Sequence, residues 1–201
     1  MNKIFITFII PTIGRQSLLN TIQSLYNQSE DNWDAIVIFD GIKNNFEITD
    51  SRIKIIEIEK TGINNNAGLV RNIGIKYVNN SEWIGFLDDD DYISNNYITN
   101  LKTEIFLNNI DVCIFRMGYE NKCILPLKND RNIYRNRVGI SFAIKKYISN
   151  TVLFVNNPFE DYIFLKELQN KKYKILISSF VSYFVRIPPY EVIEIYPKII
   201  L

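Results

Sequence analysis

The chain has 201 residues, of which 47% are hydrophobic and 13% aromatic, so it can bury one substantial core and a single domain is expected. Its 23 basic and 22 acidic residues leave a formal net charge of +1, which provides no general attraction to nucleic acid or to an anionic membrane. Histidine is absent from the sequence, which excludes Ser-His, Cys-His and histidine-metal chemistry and leaves proton transfer to carboxylates.

The cysteine pattern and the hydrophobic segments indicate the compartment. Cys113 and Cys123 lack the CxxC spacing and the further partners of a zinc site or a disulfide framework. The apolar N-terminal stretch ends at Pro11 without a small-residue cleavage site, so a buried strand is a better interpretation than a signal peptide. No stretch approaches the ~20 apolar residues of a membrane span. We therefore expect a cytoplasmic protein with reduced thiols, and the sequence leaves open whether it forms a homodimer.

Strands and helices are predicted to alternate along the first 117 residues. Strands are expected at 4–10, 33–39, 53–58, 82–87 and 112–117. Helices are expected from near Ser17, after Gly68, and from Asn95 or Asn96 to about Leu107. The helix after Gly68 is expected to bury Leu69, Ile73 and Tyr77. This alternation implies βαβ crossovers, an α/β fold with a mostly parallel sheet, and ligands at the carboxyl ends of the strands.

The second half of the chain is less regular. Residues 118–137 have no clear periodicity, and we expect short strands there rather than a plain loop. Further elements are predicted as a strand at 138–143, a helical turn at 145–150, a helix at 159–170 and one or two strands within 173–187.

Four consecutive aspartates, Asp88 to Asp91, directly follow the apolar run Trp-Ile-Gly-Phe-Leu at 83–87. Like charges at 4 Å repel by about 1 kcal/mol even in water, so a positive partner is expected. Mg²⁺ and Mn²⁺ take oxygen ligands from one or two carboxylates and fill the remaining positions with phosphates. The run therefore predicts a metal and phosphate site at the end of a strand.

Four segments, in this order, resemble the signatures of the family 2 glycosyltransferases of GT-A fold. They are Ile-Ile-Pro-Thr at 9–12, Phe-Asp-Gly at 39–41, the stretch 64–74 containing Val-Arg-Asn-Ile-Gly, and Phe-Leu-Asp-Asp-Asp-Asp at 86–91. The resemblance implies one GT-A (Rossmann-like) domain over residues 1–201, with a mostly parallel central sheet flanked by helices. Residues 1–117 would bind the nucleotide-sugar and residues 118–201 the acceptor.

The resemblance also implies an enzyme that moves a sugar from a nucleotide-diphospho-sugar to a hydroxyl of a glycan, protein or lipid-linked acceptor, with inversion. A UDP-sugar is expected, because Asp40 would accept a hydrogen bond from the uracil N3–H, although Phe39 and Ile42 depart from the family pattern around it. The donor-binding residues that it implies are Pro11, Thr12, Arg15, Asp40, Asn64, Arg71, Asp88 and Asp89.

Within the D-x-D-D pattern, the resemblance makes Asp90 the direct ligand of a divalent cation, Mn²⁺ or Mg²⁺, with Asp88 beside it. It makes Asp161 the base that removes the proton of the acceptor hydroxyl, with Glu160 as its hydrogen-bonding partner. Acidic residues in the first turn of a helix also favour its dipole, by ~0.3–1 kcal/mol, without any catalytic role.

Two other functions remain open from the sequence alone. A sugar-phosphate nucleotidyltransferase shares the α/β layout and a metal-carboxylate site, but its Gly-rich basic phosphate loop is not matched by Pro-Thr-Ile-Gly-Arg at 11–15. A non-catalytic nucleotide-sugar-binding module would keep the donor residues and lack transfer.

Overall fold

The structure, a computed structural model, describes residues 5–61 and 67–186. Strands from both halves of the described chain form one sheet. The strands are β1 (Ile6–Thr12), β2 (Trp33–Asp40), β3 (Ile53–Ile58), β4 (Trp83–Phe86), β5 (Tyr92–Ile93), β6 (Val112–Tyr119), β7 (Ile124–Leu125), β8 (Phe142–Lys145) and β9 (Ile175–Val185). The helices are α1 (Leu18–Tyr26), α2 (Gly68–Ile75), α3 (Tyr97–Asn108) and α4 (Glu160–Asn170), with a 3-10 helix at Lys146–Asn150.

The sheet runs in the order β3-β2-β1-β4-β8-β6-β9-β5, and β7 pairs with β6. The half β3-β2-β1-β4 is parallel throughout. Antiparallel pairs occur in the other half, where β8 lies between β4 and β6, while β6 and β9 remain parallel. The predicted α/β class with a mostly parallel sheet is confirmed. The carboxyl ends of the parallel strands meet at one edge, which is where such folds bind ligands.

The centre of the sheet explains the continuous apolar runs of the sequence. Every residue of β1 is buried, and so is every residue of β2 except Asp34. A parallel strand covered on both faces needs apolar side chains at successive positions rather than at alternate ones. Pro11 and Thr12 extend β1 two residues beyond the predicted end, in register with Ile38 and Phe39 of β2.

The prediction that α2 buries Leu69, Ile73 and Tyr77 is wrong, and Tyr77 is 40% exposed. The buried residues of the helix are Gly68, Val70, Arg71, Gly74 and Ile75. Gly74 determines this orientation, because a Cβ there would lie 2.6 Å from the Cδ1 atom of Ile38 on β2. The helix backbone therefore approaches the sheet along the glycine face, and this face carries an arginine into the interior.

The second half differs from its predicted boundaries in two places. The strand expected at 138–143 is β8, which begins only at Phe142. Residues 173–187 contribute one strand of 11 residues, β9, to the described chain. The short strand β7 within 118–137, the 3-10 turn and helix α4 agree with the predictions.

Candidate active site

The four aspartates after β4 alternate between burial and exposure. Asp89 and Asp91 are buried, whereas the side chains of Asp88 and Asp90 are each 34% exposed. The backbone amide of Asp91 donates to the Asp88 carbonyl at 3.2 Å, and the Thr21 hydroxyl on α1 donates to the Asp91 carbonyl at 2.6 Å. The turn is therefore anchored to α1, and it presents two of its four carboxylates to solvent.

The two buried carboxylates hold neighbouring loops together. Asp89 accepts hydrogen bonds from the Thr12 hydroxyl at 2.6 Å and from the Arg15 guanidinium at 2.8 Å. Asp91 accepts one from the backbone amide of Arg186 at 3.0 Å. Burial raises the pKa of Asp91 well above its usual value, and the charges of Asp88 and Asp90 add to that rise. These contacts tie the ends of β1 and β9 to the acidic turn.

Asp90 is the more accessible carboxylate beside Arg15, whose guanidinium lies 3.2 Å from it. Burial raises the pKa of Asp90, the negative charge of Asp88 raises it further, and Arg15 opposes the rise. A bound cation would relieve this concentration of negative charge. Within residues 5–61 and 67–186, no group of three or more acidic or cysteine side chains could hold a metal by itself.

A cavity of about 340 Å³ lies at the carboxyl edge of the parallel strands. Seven of the eight predicted donor-binding residues line it, and Asn64 falls outside the described residues. The seven are Pro11, Thr12, Arg15, Asp40, Arg71, Asp88 and Asp89, and Asp90 and Glu160 complete the acidic part of the lining. The sequence motifs lie far apart along the chain, and the parallel strands bring them to a common surface.

Arg71 links the acidic turn to helix α4. Its buried guanidinium contacts the Asp88 carboxylate and donates to the Glu160 carboxylate at 2.7 Å. Burial raises the pKa of Glu160, and the positive charge of Arg71 counteracts that rise. The sequence predicted Glu160 as a hydrogen-bonding partner of Asp161, whereas in the structure its carboxylate is hydrogen-bonded to Arg71.

A second cavity, of about 220 Å³, adjoins the first one and is lined by Asp161. Both cavities share Arg71, Asp88, Pro158 and Glu160, which form their common wall. Burial raises the pKa of Asp161 to about 6, while the backbone amide of Tyr162, donating at 2.6 Å, and the charge of Arg71 act in the opposite direction. At neutral pH this carboxylate is ionised and is a stronger base than an ordinary aspartate.

Sequence reasoning missed two residues of the site, Lys60 and Tyr183. Lys60 lines the first cavity, and its ammonium lies 2.9 Å from the Asp40 carboxylate. The fully buried Tyr183 accepts a hydrogen bond from the Asp88 backbone amide at 3.2 Å and lines the second cavity. The lysine follows β3 without a motif, and the tyrosine lies in a mostly apolar strand, so neither had a local signal.

Comparisons with known proteins agree with this fold and identify the family. Residues 7–163 match the family model described as glycosyl transferase family 2. An uncharacterized glycosyltransferase of Haemophilus influenzae is 30% identical over 206 residues, with 93% of this chain and 81% of that protein aligned. The minor teichoic acid biosynthesis protein GgaA of Bacillus subtilis is 26% identical over 212 residues, with 90% of this chain and 46% of that protein aligned.

Solved structures give the same result for the fold. The crystal structure of S. aureus TarS 1–349 superposes with a TM-score of 0.71 at 18% identity, covering 90% of this chain and 60% of that chain. The same fragment in complex with UDP-GlcNAc gives a TM-score of 0.67 at 18% identity and covers 92% of this chain and 59% of that chain. This chain thus spans less than two thirds of the TarS fragment and about half of GgaA.

These findings confirm the predicted class, a glycosyltransferase with a GT-A-like fold. Because the family model covers well over half of the residues, the chain belongs to glycosyl transferase family 2. No helix among the described residues combines the length and the apolar character that crossing a bilayer requires.

Proposed function

We propose that this glycosyltransferase uses a UDP-sugar donor, a divalent cation and a hydroxyl acceptor, and that transfer inverts the anomeric carbon. The observation that carries the proposal is the pair of adjoining cavities with a common wall at Arg71, Asp88 and Glu160. Asp90 lines the first cavity and Asp161 the second one. Donor and acceptor would meet at this wall, with the leaving group on one side and the base on the other, as an in-line inverting displacement requires.

The nucleotide assignment has two supports. TarS, which has the same fold, was crystallised in complex with UDP and in complex with UDP-GlcNAc. In this chain, Asp40 lies at the end of β2 in the first cavity, and an ionised carboxylate can only accept a hydrogen bond, such as that of the uracil N3–H.

The residues fit a divalent cation that is completed by the donor. A Mg²⁺ or Mn²⁺ ion bound through one or two carboxylates and two phosphates needs no cluster of three protein ligands. Asp90 would hold the ion and Asp88 would lie beside it, and the raised pKa of Asp90 indicates a site where added positive charge is favourable. When bound, the ion would act as a Lewis acid on the leaving diphosphate.

The chain's own residues would perform the remaining steps. Arg15, whose side chain is 43% exposed, would contribute positive charge near the phosphates. Asp161 would accept the proton of the acceptor hydroxyl as its oxygen attacks the anomeric carbon and the bond to the diphosphate breaks. The leaving nucleoside diphosphate would carry away the electron pair of that bond.

The test is calorimetric titration of UDP into the protein with Mn²⁺ and with a chelator. Wild type should bind UDP more tightly with Mn²⁺, and Asp90→Ala should lose this dependence together with about a thousandfold in UDP-sugar turnover, since the metal supplies several kcal/mol. Asp31→Ala, at a side chain that is 99% exposed, is the control and should behave as wild type. Equal UDP affinity of wild type with Mn²⁺ and with the chelator would contradict the proposed cation. Absence of UDP binding would contradict the proposed UDP-sugar donor.

A further inference from the structure

Lys60 and Asp40 form a polar pair in the lining of the first cavity. Its ammonium donates to one oxygen of Asp40 at 2.9 Å, and the Thr61 backbone amide donates to the other oxygen at 2.5 Å. The Asp40 side chain is 4% exposed and that of Lys60 is 54% exposed. The pair therefore has a fixed, buried acceptor and an accessible donor.

The turn after β2 is shaped to admit this lysine. Gly41 has a φ of +77°, and a Cβ there would lie 2.8 Å from the Cβ and 2.9 Å from the Cδ of Lys60. Any side chain larger than hydrogen would thus displace the lysine from Asp40. The close contact depends on glycine both for backbone conformation and for space.

The pair offers a hydrogen-bond donor next to an acceptor. The lysine ammonium has three N–H groups, one of which is directed at Asp40, and a carboxylate can only accept, with about four lone-pair sites. On uracil, the O4 carbonyl oxygen lies beside the N3–H, which is the complementary arrangement. On cytosine, an amino group replaces O4 and N3 is unprotonated, so both contacts would be mismatched.

We propose that Lys60 is a specificity-determining residue of the donor site, which donates to the uracil O4 carbonyl while Asp40 accepts from the N3–H beside it. The inference rests on the proposed UDP-sugar function and extends it to a residue outside the sequence motifs. The carboxylate recognises the imide hydrogen, and the ammonium recognises the oxygen next to it. Together they discriminate uracil from cytosine, which has nearly the same shape.

The experiment compares UDP and CDP affinities of wild type and Lys60→Met by calorimetry with Mn²⁺. Wild type should prefer UDP. Lys60→Met should weaken UDP binding by about tenfold or more, the effect of losing a hydrogen bond to a charged group, and should leave CDP binding nearly unchanged. Lys54→Met, on β3 with its ammonium over the Tyr77 ring, is the matched control and should retain the preference.

Each other outcome has a definite meaning. Equal weakening of UDP and CDP binding would assign Lys60 to the phosphates or ribose and overturn the inference. Unchanged affinities for both nucleotides would overturn it as well. Should Lys60→Met fail to fold, Lys60→Gln replaces it, because glutamine keeps an N–H donor without the charge. This variant should still prefer UDP. Equal affinities of Lys60→Gln for UDP and CDP would also overturn the inference. A wild type that binds neither nucleotide would reject the proposed function itself.

Discussion

The two cavities are adjacent, yet the carboxylates that line them have different kinds of partner. In the first cavity, Asp40 is paired with Lys60, and Asp89 with Arg15. In the second one, Asp161 receives a hydrogen bond from a backbone amide and, among the described residues, forms no ion pair. A cationic partner balances the charges of Asp40 and Asp89 and suits binding, whereas Asp161 remains a buried carboxylate with a raised pKa, which suits proton transfer.

Arg71 lies in the common wall of the two cavities, where it contacts both Asp88 and Glu160. Arg71→Met should therefore have a larger effect on stability than substitution of any exposed arginine. Removing the cation leaves two carboxylates close together in a buried site, at a cost of about 3 kcal/mol or more in the free energy of unfolding. Urea titration followed by circular dichroism measures the change.

Arg137→Met is the matched control for this prediction. Arg137 pairs with Asp130 at 2.7 Å, but its side chain is 37% exposed. An exposed pair contributes about 0–1 kcal/mol, so this variant should differ little from wild type. Equal losses in both variants would mean that the common wall does not depend on the buried guanidinium.

Asp161→Asn is expected to raise the free energy of unfolding, by less than Arg71→Met lowers it. The folded protein raises the pKa of Asp161 to about 6, above the value of about 4 in an unfolded chain, so it favours the protonated form. The resulting cost to the native state is absent below about pH 4, grows between those two pKa values, and is complete above about pH 6. Removing the ionisable group should thus increase stability at neutral pH by about 1–3 kcal/mol.

Thermal unfolding at several pH values measures this gain. The difference in Tm between Asp161→Asn and wild type should be positive at neutral pH and vanish at about pH 4. Asp31→Asn, at a side chain that is 99% exposed, should leave Tm unchanged both at neutral pH and at about pH 4. A gain that is the same at all pH values would arise from packing or hydrogen bonding and not from the pKa of Asp161.

The clustering of the motifs around the first cavity was predictable because their signals are local. The motifs at 9–12, 39–41 and 86–91 each end a strand, and parallel pairing brings strand ends together without further information. Apolar runs likewise predicted most elements of the first half. The order of these motifs along the chain identified the family resemblance, since no single motif identifies a site.

The remainder depends on tertiary contacts that the sequence does not display. The buried face of α2 is set by Gly74 approaching β2, which a count of apolar side chains cannot detect. Arg71 is buried because two carboxylates, 17 and 89 positions away, neutralise it. Lys60 lies just after β3 and Tyr183 within β9, in stretches with no motif.

The proposal that the first cavity binds the donor and the second one holds the base is tested most directly by comparing Asp161→Asn with wild type. UDP release, from whichever UDP-sugar of a panel wild type consumes fastest, is measured across pH, together with UDP affinity. Wild-type kcat/KM should rise with pH through about 6, and the variant should lose at least about a hundredfold in kcat with unchanged UDP affinity. Unchanged turnover, or equal losses of binding and turnover, would contradict the assignment of the base to the second cavity.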